Sequence, residues 1–359
     1  MANGDLDGDL KLGAAAALAS SGYYCKINVS LSALAGEALA DVTDVDVLAV
    51  RHDITFAPRM VAVSCKSGGS LSVSKELFYL RGVLDYLDGD EGVVLLSKKA
   101  VAPQLRDLGR RLDLLCLQGA EIDAWMTATA RGTADLGYFG SDGYAVYNDA
   151  VAPHGGSVGL QTYLKTDYWF HRDFRNIQNV IAHLKKAPKM TGNRVEDSVR
   201  FFDVAAHFAL SLIDLCRHVQ LAGVDRANTT ISSYLFGGDA NLKARRDLYH
   251  KLRELLARTG VVQPGDSSLP PLVPAYSHAL HEVVVRFLDR PQAAVLVPQA
   301  IQNAMWKCLG ATGWKGRTQE EELVLASQKL ADDLIDFLRA AAERPWAPLV
   351  LPRSGDKGS

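Results

Sequence analysis

All of the strand signal in this chain lies in its first third, and that asymmetry constrains the fold more than any single motif. Over residues 8–131, short β-branched runs alternate with helical patterns, which is the grammar of an α/β layer. A helix is expected over 10–20 and strands over 23–31, 43–51 and 60–66. A helix over 73–87, a strand over 92–96, a helix over 102–112, a strand over 114–117 and a helix over 121–130 follow. The connection 52–59 is short, so the second and third strands are expected to pair antiparallel as a hairpin. Beyond residue 160 the strand signals stop, and helical spacing runs over 174–186, 195–221, 242–259, 276–288, 298–308 and 319–343. The expected fold class is an α/β layer followed by an all-α half. The expected organisation is an α/β domain over 1–131, a Gly-rich linker or small insertion over 132–160, a helical domain over 161–350 and a disordered tail over 351–359.

A chain of 359 residues, 48% hydrophobic, is long enough for two or three domains of roughly 150 residues each. Its 39 Lys+Arg against 41 Asp+Glu leave a net charge of −2, so no global basic field draws it to nucleic acid, and such contact has to be local. Five scattered cysteines, Cys25, Cys65, Cys116, Cys216 and Cys308, contain no C-x-x-C pair, so reduced buried thiols are expected rather than a disulfide framework or zinc knuckle. The first nine residues carry three aspartates and no basic stretch, and the run 14–19 is too short for a signal peptide. The longest uncharged stretch of the most apolar helix, 204–213, falls far below the ~20 residues of a membrane span. No membrane partner and a cytoplasmic location are expected.

Chemistry-bearing residues converge on the two hairpin strands. Because side chains alternate along a strand, Asp44 and Asp46 share one face of the second strand, and Ser64 and Lys66 share one face of the third, with Cys65 opposite. Pairing the strands brings carboxylates and an ammonium to one edge. That combination suits phosphodiester hydrolysis assisted by a hard divalent cation, with the acids holding the ion and the lysine serving the water and the phosphate charge.

These residues carry a family resemblance. The α-β-β-β-α-β order, with Thr43-Asp44-Val45-Asp46-Val47-Leu48-Ala49 and Val61-Ala62-Val63-Ser64-Cys65-Lys66-Ser67-Gly68, resembles the PD-(D/E)XK superfamily of restriction endonuclease-like nucleases. The resemblance covers about residues 8–130 and implies a restriction endonuclease-like αβββαβ core ahead of the helical half. It implies that Asp46 matches the family aspartate and Lys66 the family lysine. Ser64 stands where the family keeps an acidic residue, and the first helix lacks the glutamate sometimes found there. Some such nucleases move the missing glutamate to the following helix. In this chain Glu76, stepped at about 100° per residue, falls in the middle of the apolar stripe of Leu77, Leu80, Val83, Leu84 and Leu87. Glu76 is then either the relocated metal ligand or an acid complementing the helix N-terminus.

The resemblance implies Mg²⁺ or Mn²⁺ held by Asp46, Glu76 and the carbonyl of Cys65, with Lys66 serving the water and Ser64 beside them; Asp44 is either a supporting acid or solvent-facing. The function expected is metal-dependent endonucleolytic hydrolysis of nucleic acid, DNA, in a setting of defence or DNA processing. The alternative is a catalytically decayed nuclease-fold domain that binds nucleic acid or a protein partner, with the helical domain as docking surface.

Other patterns point less sharply. Glu196, Arg200, Asp203, His207, Ser211, Asp214 and His218 form one stripe on the helix from residue 195, which reads as a polar surface or an interface with the α/β domain rather than a metal site. His278-Ala279-Leu280-His281-Glu282 lacks the H-E-x-x-H spacing of zinc hydrolases. Basic clusters occur at Lys98, Lys99, Arg106, Arg110 and Arg111, at His171, Arg172, Arg175, Lys185, Lys186 and Lys189, and at Lys243, Arg245, Arg246, Lys251 and Arg253. The middle cluster adjoins Tyr168, Trp169 and Phe170, either a mixture for stacking on bases or a solvated helix face with aromatics packed beneath.

Overall fold

The computed structural model describes residues 6–35, 38–68, 72–129, 140–152, 158–170, 174–188, 195–259, 272–309 and 321–343. The expected tail over 351–359 lies outside the described residues.

The N-terminal part is a five-stranded mixed sheet in the order β1-β2-β3-β4-β5. The strands are β1 (Tyr24–Ala35), β2 (Ala38–His52), β3 (Pro58–Lys66), β4 (Glu91–Leu96) and β5 (Leu114–Gln118). β1, β2 and β3 run antiparallel, as the short 52–59 connection requires, and β3, β4 and β5 run parallel. The parallel pairs need crossovers, which α2 (Val73–Leu87) and α3 (Pro103–Arg111) supply. Both helices pack on the parallel half of the sheet and on each other. α1 (Leu6–Ser20) buries its Ala14–Ala19 run and packs on β1, β2, β3 and α4 (Ala120–Thr129).

β1 and β2 are longer than alternation alone predicts. Their pairing continues from Ser32↔Asp41 to Ala35↔Ala38, past a register irregularity between Leu31 and Ser32. The segment between the expected strands is rich in Ala, a poor strand former, so pairing between the two strands, not propensity, sets their length.

Among the described residues, the remainder is mostly helical: α5 (Gly140–Val151), α6 (Val158–Lys165), α7 (Asp167–Phe170), α8 (Arg175–Lys186), α9 (Val195–Ala222), α10 (Ala227–Leu235), α11 (Asp239–Arg258), α12 (Ser277–Asp289), α13 (Pro291–Ala294), α14 (Val297–Cys308) and α15 (Glu321–Ala341). Helix α5 falls inside the Gly-rich stretch read as linker or insertion, where it buries Tyr147 and Ala150 and packs on α9. α9 is the axis, contacting α5, α8, α10, α12, α14 and α15.

The two halves share one contiguous buried core. The edge strand β1 lies against the helical half, and Gln302 on α14 closes its exposed backbone by accepting from the Cys25 N–H at 3.0 Å and donating to the Cys25 carbonyl at 2.5 Å. An uncovered strand edge invites pairing with other chains, and this amide occupies it. Among the described residues, no helix is long and apolar enough to cross a membrane.

Candidate active site

The β2–β3 ladder ends at the pair Val47↔Val63, and the next residues form the site. Asp46 emerges from β2, Ser64, Cys65 and Lys66 from β3, and Glu76 from the first turn of α2. Asp46 is 8% and Glu76 7% exposed, so both carboxylates need partners, because burying an unpaired charge is costly.

The Lys66 ammonium supplies one to each, 3.0 Å from Asp46 Oδ2 and 3.8 Å from Glu76 Oε1. The two carboxylate oxygens are therefore no farther apart than the sum of those distances, 6.8 Å. Asp46 Oδ2 also accepts from the Cys65 N–H at 2.8 Å, and Ser64 Oγ donates to Glu76 Oε1. Asp46, Ser64 and Lys66 come together, and Glu76, left open between a place in this site and a helix N-terminal acid, lies beside them. Cys65 enters the site through its N–H, with its side chain buried.

Asp44 does not join them: it is exposed and accepts from Ser30 Oγ at 2.5 Å, while its carbonyl accepts from Tyr79 at 2.5 Å. It acts on the β1–β2 backbone side of the site and leaves the carboxylate pair alone.

Two residues escaped the sequence reading. Lys11, on α1, places its ammonium 2.9 Å from Asp46 Oδ1 and donates to Asn28 Oδ1 at 2.9 Å. Asn28, on β1, sits in the left-handed region at φ 57°, and its amide donates to the Tyr144 hydroxyl of α5 at 2.9 Å. The available signal was that Lys11 is the sole basic residue of an Ala-rich helix that packs on β2.

The site holds two carboxylates against two ammonium groups. Burial pushes the Asp46 carboxyl up, but the Cys65 N–H, the Lys11 hydrogen bond and the charges of Lys66 and Lys11 outweigh it and hold it below the usual carboxylate value. Burial pushes Lys66 down, but the charge and hydrogen bond of Asp46 and the charge of Glu76 outweigh it, so the amine stands above its ordinary value and is cationic. A protonated Lys66 is a donor, suited to a water or a phosphate oxygen rather than to removing a proton.

Asp46 and Glu76 supply two hard carboxylates on either side of Lys66, and Mg²⁺ and Mn²⁺ are ions that take one or two carboxylates and complete their shell with water and phosphate. Among the described residues, no group of three or more His, Cys, Asp or Glu side chains comes together, which a closed structural zinc site would require.

The other patterns resolve differently. Asp203 on α9 is buried and paired with Lys26 of β1, so this part of the stripe is an interface between the halves. Asp214 lies 3.7 Å from His52, and His218 packs against Tyr234. His278 and Glu282 are an exposed pair 3.5 Å apart. Tyr168 and Trp169 are buried in the core, with Tyr168 donating to the His207 carbonyl at 2.7 Å, so these rings are not a stacking surface for bases. His171, Arg172 and Lys189 lie outside the described residues. Arg106 pairs with Glu121 at 2.9 Å, and the basic residues of α11 are exposed.

Comparison with protein-family models, curated proteins and solved structures returns no match.

Proposed function

We propose that this chain is a divalent-metal-dependent nuclease of the restriction endonuclease-like kind, hydrolysing phosphodiester bonds in DNA. The observation that supports it is the position of Lys66, whose ammonium lies between carboxylates of two different elements, 3.0 Å from Asp46 and 3.8 Å from Glu76. Sequence separations of 20 and 10 residues give no local reason for that convergence.

In this reading Asp46, Glu76 and the Cys65 carbonyl hold Mg²⁺ or Mn²⁺. The bound ion supplies Lewis acidity toward the phosphate and a more acidic water. Lys66 donates from its ammonium to orient that water and offset charge on the phosphate oxygens. Ser64 fixes the Glu76 carboxylate. Burial of both acids weakens the screening of these charges by bulk water.

The second reading, a nuclease-fold scaffold that binds nucleic acid or a protein without hydrolysis, draws on the Lys11 contact, which occupies the other oxygen of Asp46. Nicking of supercoiled plasmid with Mg²⁺ or Mn²⁺ separates the two. The nuclease reading expects nicking by the wild type and loss of it, by at least a hundredfold, in Asp46→Ala and Lys66→Ala. Equal nicking by all three proteins, or none by the wild type, overturns it.

A further inference from the structure

Lys11 is built into the site with more care than a surface lysine needs. Its ammonium makes a 2.9 Å ion pair with Asp46 and a 2.9 Å hydrogen bond to Asn28, and its side chain is only 19% exposed. Asn28 is itself fixed, by a left-handed backbone and by the hydrogen bond that its side-chain amide donates to the Tyr144 hydroxyl on α5. A continuous polar chain therefore runs from the helical half through Tyr144, Asn28 and Lys11 to Asp46. Asp46 has no oxygen left over: Oδ1 holds Lys11, and Oδ2 holds Lys66 and the Cys65 N–H.

We propose that Lys11 is a tethered counter-ion that competes with the divalent metal for Asp46 and thereby sets the metal affinity of the site. The proposal rests on the nuclease reading and deepens it. A dication arriving at Asp46 meets an ammonium already on the same carboxylate. Either the ammonium withdraws, losing its pair and its bond to Asn28, or the two cations stay close in a half-buried site where repulsion is weakly screened. Both outcomes weaken metal binding relative to a site with a neutral residue at position 11. Lys66 does not play this part in the same way, because it also faces Glu76 and is needed beside the metal. Since Asn28 is held from α5, the helical half bears on how readily Lys11 withdraws.

The test is Mn²⁺ binding to the full chain, read by isothermal titration and by the electron paramagnetic resonance signal of free Mn²⁺, with no DNA present. Lys11→Met is expected to bind Mn²⁺ at least tenfold more tightly than wild type, a difference of about 1.4 kcal/mol. Lys11→Arg, which keeps the charge, is expected to stay within about threefold of wild type. Lys11→Gln keeps a donor for Asp46 without the charge, is expected to follow Lys11→Met, and serves in its place if that variant melts early. Asp46→Asn should abolish binding in every background. Unchanged or weaker affinity in both neutral variants, with the wild type binding, overturns the competition alone. Tightening in Lys11→Arg equal to that in Lys11→Met also overturns it, because charge would not be the cause. Absence of Mn²⁺ binding in the wild type and in both neutral variants overturns the metal site itself.

Discussion

The Ser64 hydroxyl donates a hydrogen bond to the Glu76 carboxylate, joining β3 to the first turn of α2, where the acid is buried. The two residues are 12 apart in sequence, and the bond makes them one unit beside Lys66. The negative charge beside Lys66 on this side comes from the first turn of α2, where the helix N-terminus also favours it.

Removing that donor should loosen Glu76 without discharging it. A hydrogen bond to a charged group contributes about 1.5–3 kcal/mol, so Ser64→Ala is expected to slow Mg²⁺-dependent nicking by tenfold or more. Glu76→Gln is expected to lower it to background, and adding Ser64→Ala to Glu76→Gln should cost nothing further. Single-turnover nicking measures all three. A Ser64→Ala enzyme as fast as wild type would show that the hydroxyl does not position the carboxylate.

The Lys26–Asp203 pair links β1 to α9 with distances of 2.7 and 2.8 Å, and its side chains are 3% and 0% exposed. Asp203→Ala leaves a buried ammonium without its counter-charge, which is expected to cost about 3–5 kcal/mol in urea unfolding. Lys26→Met with Asp203→Leu removes both charges and is expected to be clearly more stable than Asp203→Ala alone. A double variant no better than the single would mean that packing, not charge, dominates this interface.

What the sequence revealed and what it hid follow from which signals are local. Alternation in β2 and β3 brought Asp46, Ser64 and Lys66 to one edge of the sheet, and the helical stripe of α2 turned Glu76 inward, because both follow from backbone geometry. Lys11 was hidden because its role depends on α1 crossing β2, a contact with no sequence pattern of its own. α5 was hidden because glycine lowers helix propensity, and burial of Tyr147 and Ala150 against α9 overrides it. Tyr168 and Trp169 stayed open between two readings, because aromatics beside cations look alike in sequence whether they stack on bases or pack beneath a charged helix face, and their burial decides for the second.

His207 gives a pH dependence with a definite sign. It is fully buried beside Tyr24, Tyr168 and Trp169, its Nδ1 bonds the Asp203 carbonyl at 2.7 Å, and burial lowers its pKa from 6.5 to about 4 despite the opposing charge of Asp203. Between those values the unfolded chain binds a proton that the folded one does not, so stability falls as pH drops from about 6.5 to about 4. At 1.36 kcal/mol per pKa unit the loss is about 3 kcal/mol. Unfolding of His207→Asn across the same range should lack this contribution. Parallel pH profiles for the two proteins would rule it out.

One substitution type should act with opposite signs at two glycines. At Gly92, buried in β4, an added Cβ would overlap Leu114 Cδ2 and lie 2.8 Å from Leu84 Cδ1 and 3.1 Å from Leu80 Cδ2. Those side chains are walled in by the core, so Gly92→Ala forces strain and is expected to cost about 1–3 kcal/mol. At Gly82, exposed in the middle of α2, nothing lies within 4 Å of the added atom. Gly82→Ala there restricts the unfolded chain and favours the helix, so it is expected to stabilise by about 0.5–1 kcal/mol. Because α2 carries Glu76, this variant should also leave Mg²⁺-dependent nicking intact. Urea midpoints for the pair decide it, and a stabilised Gly92→Ala would mean that β4 and α2 are farther apart than this packing.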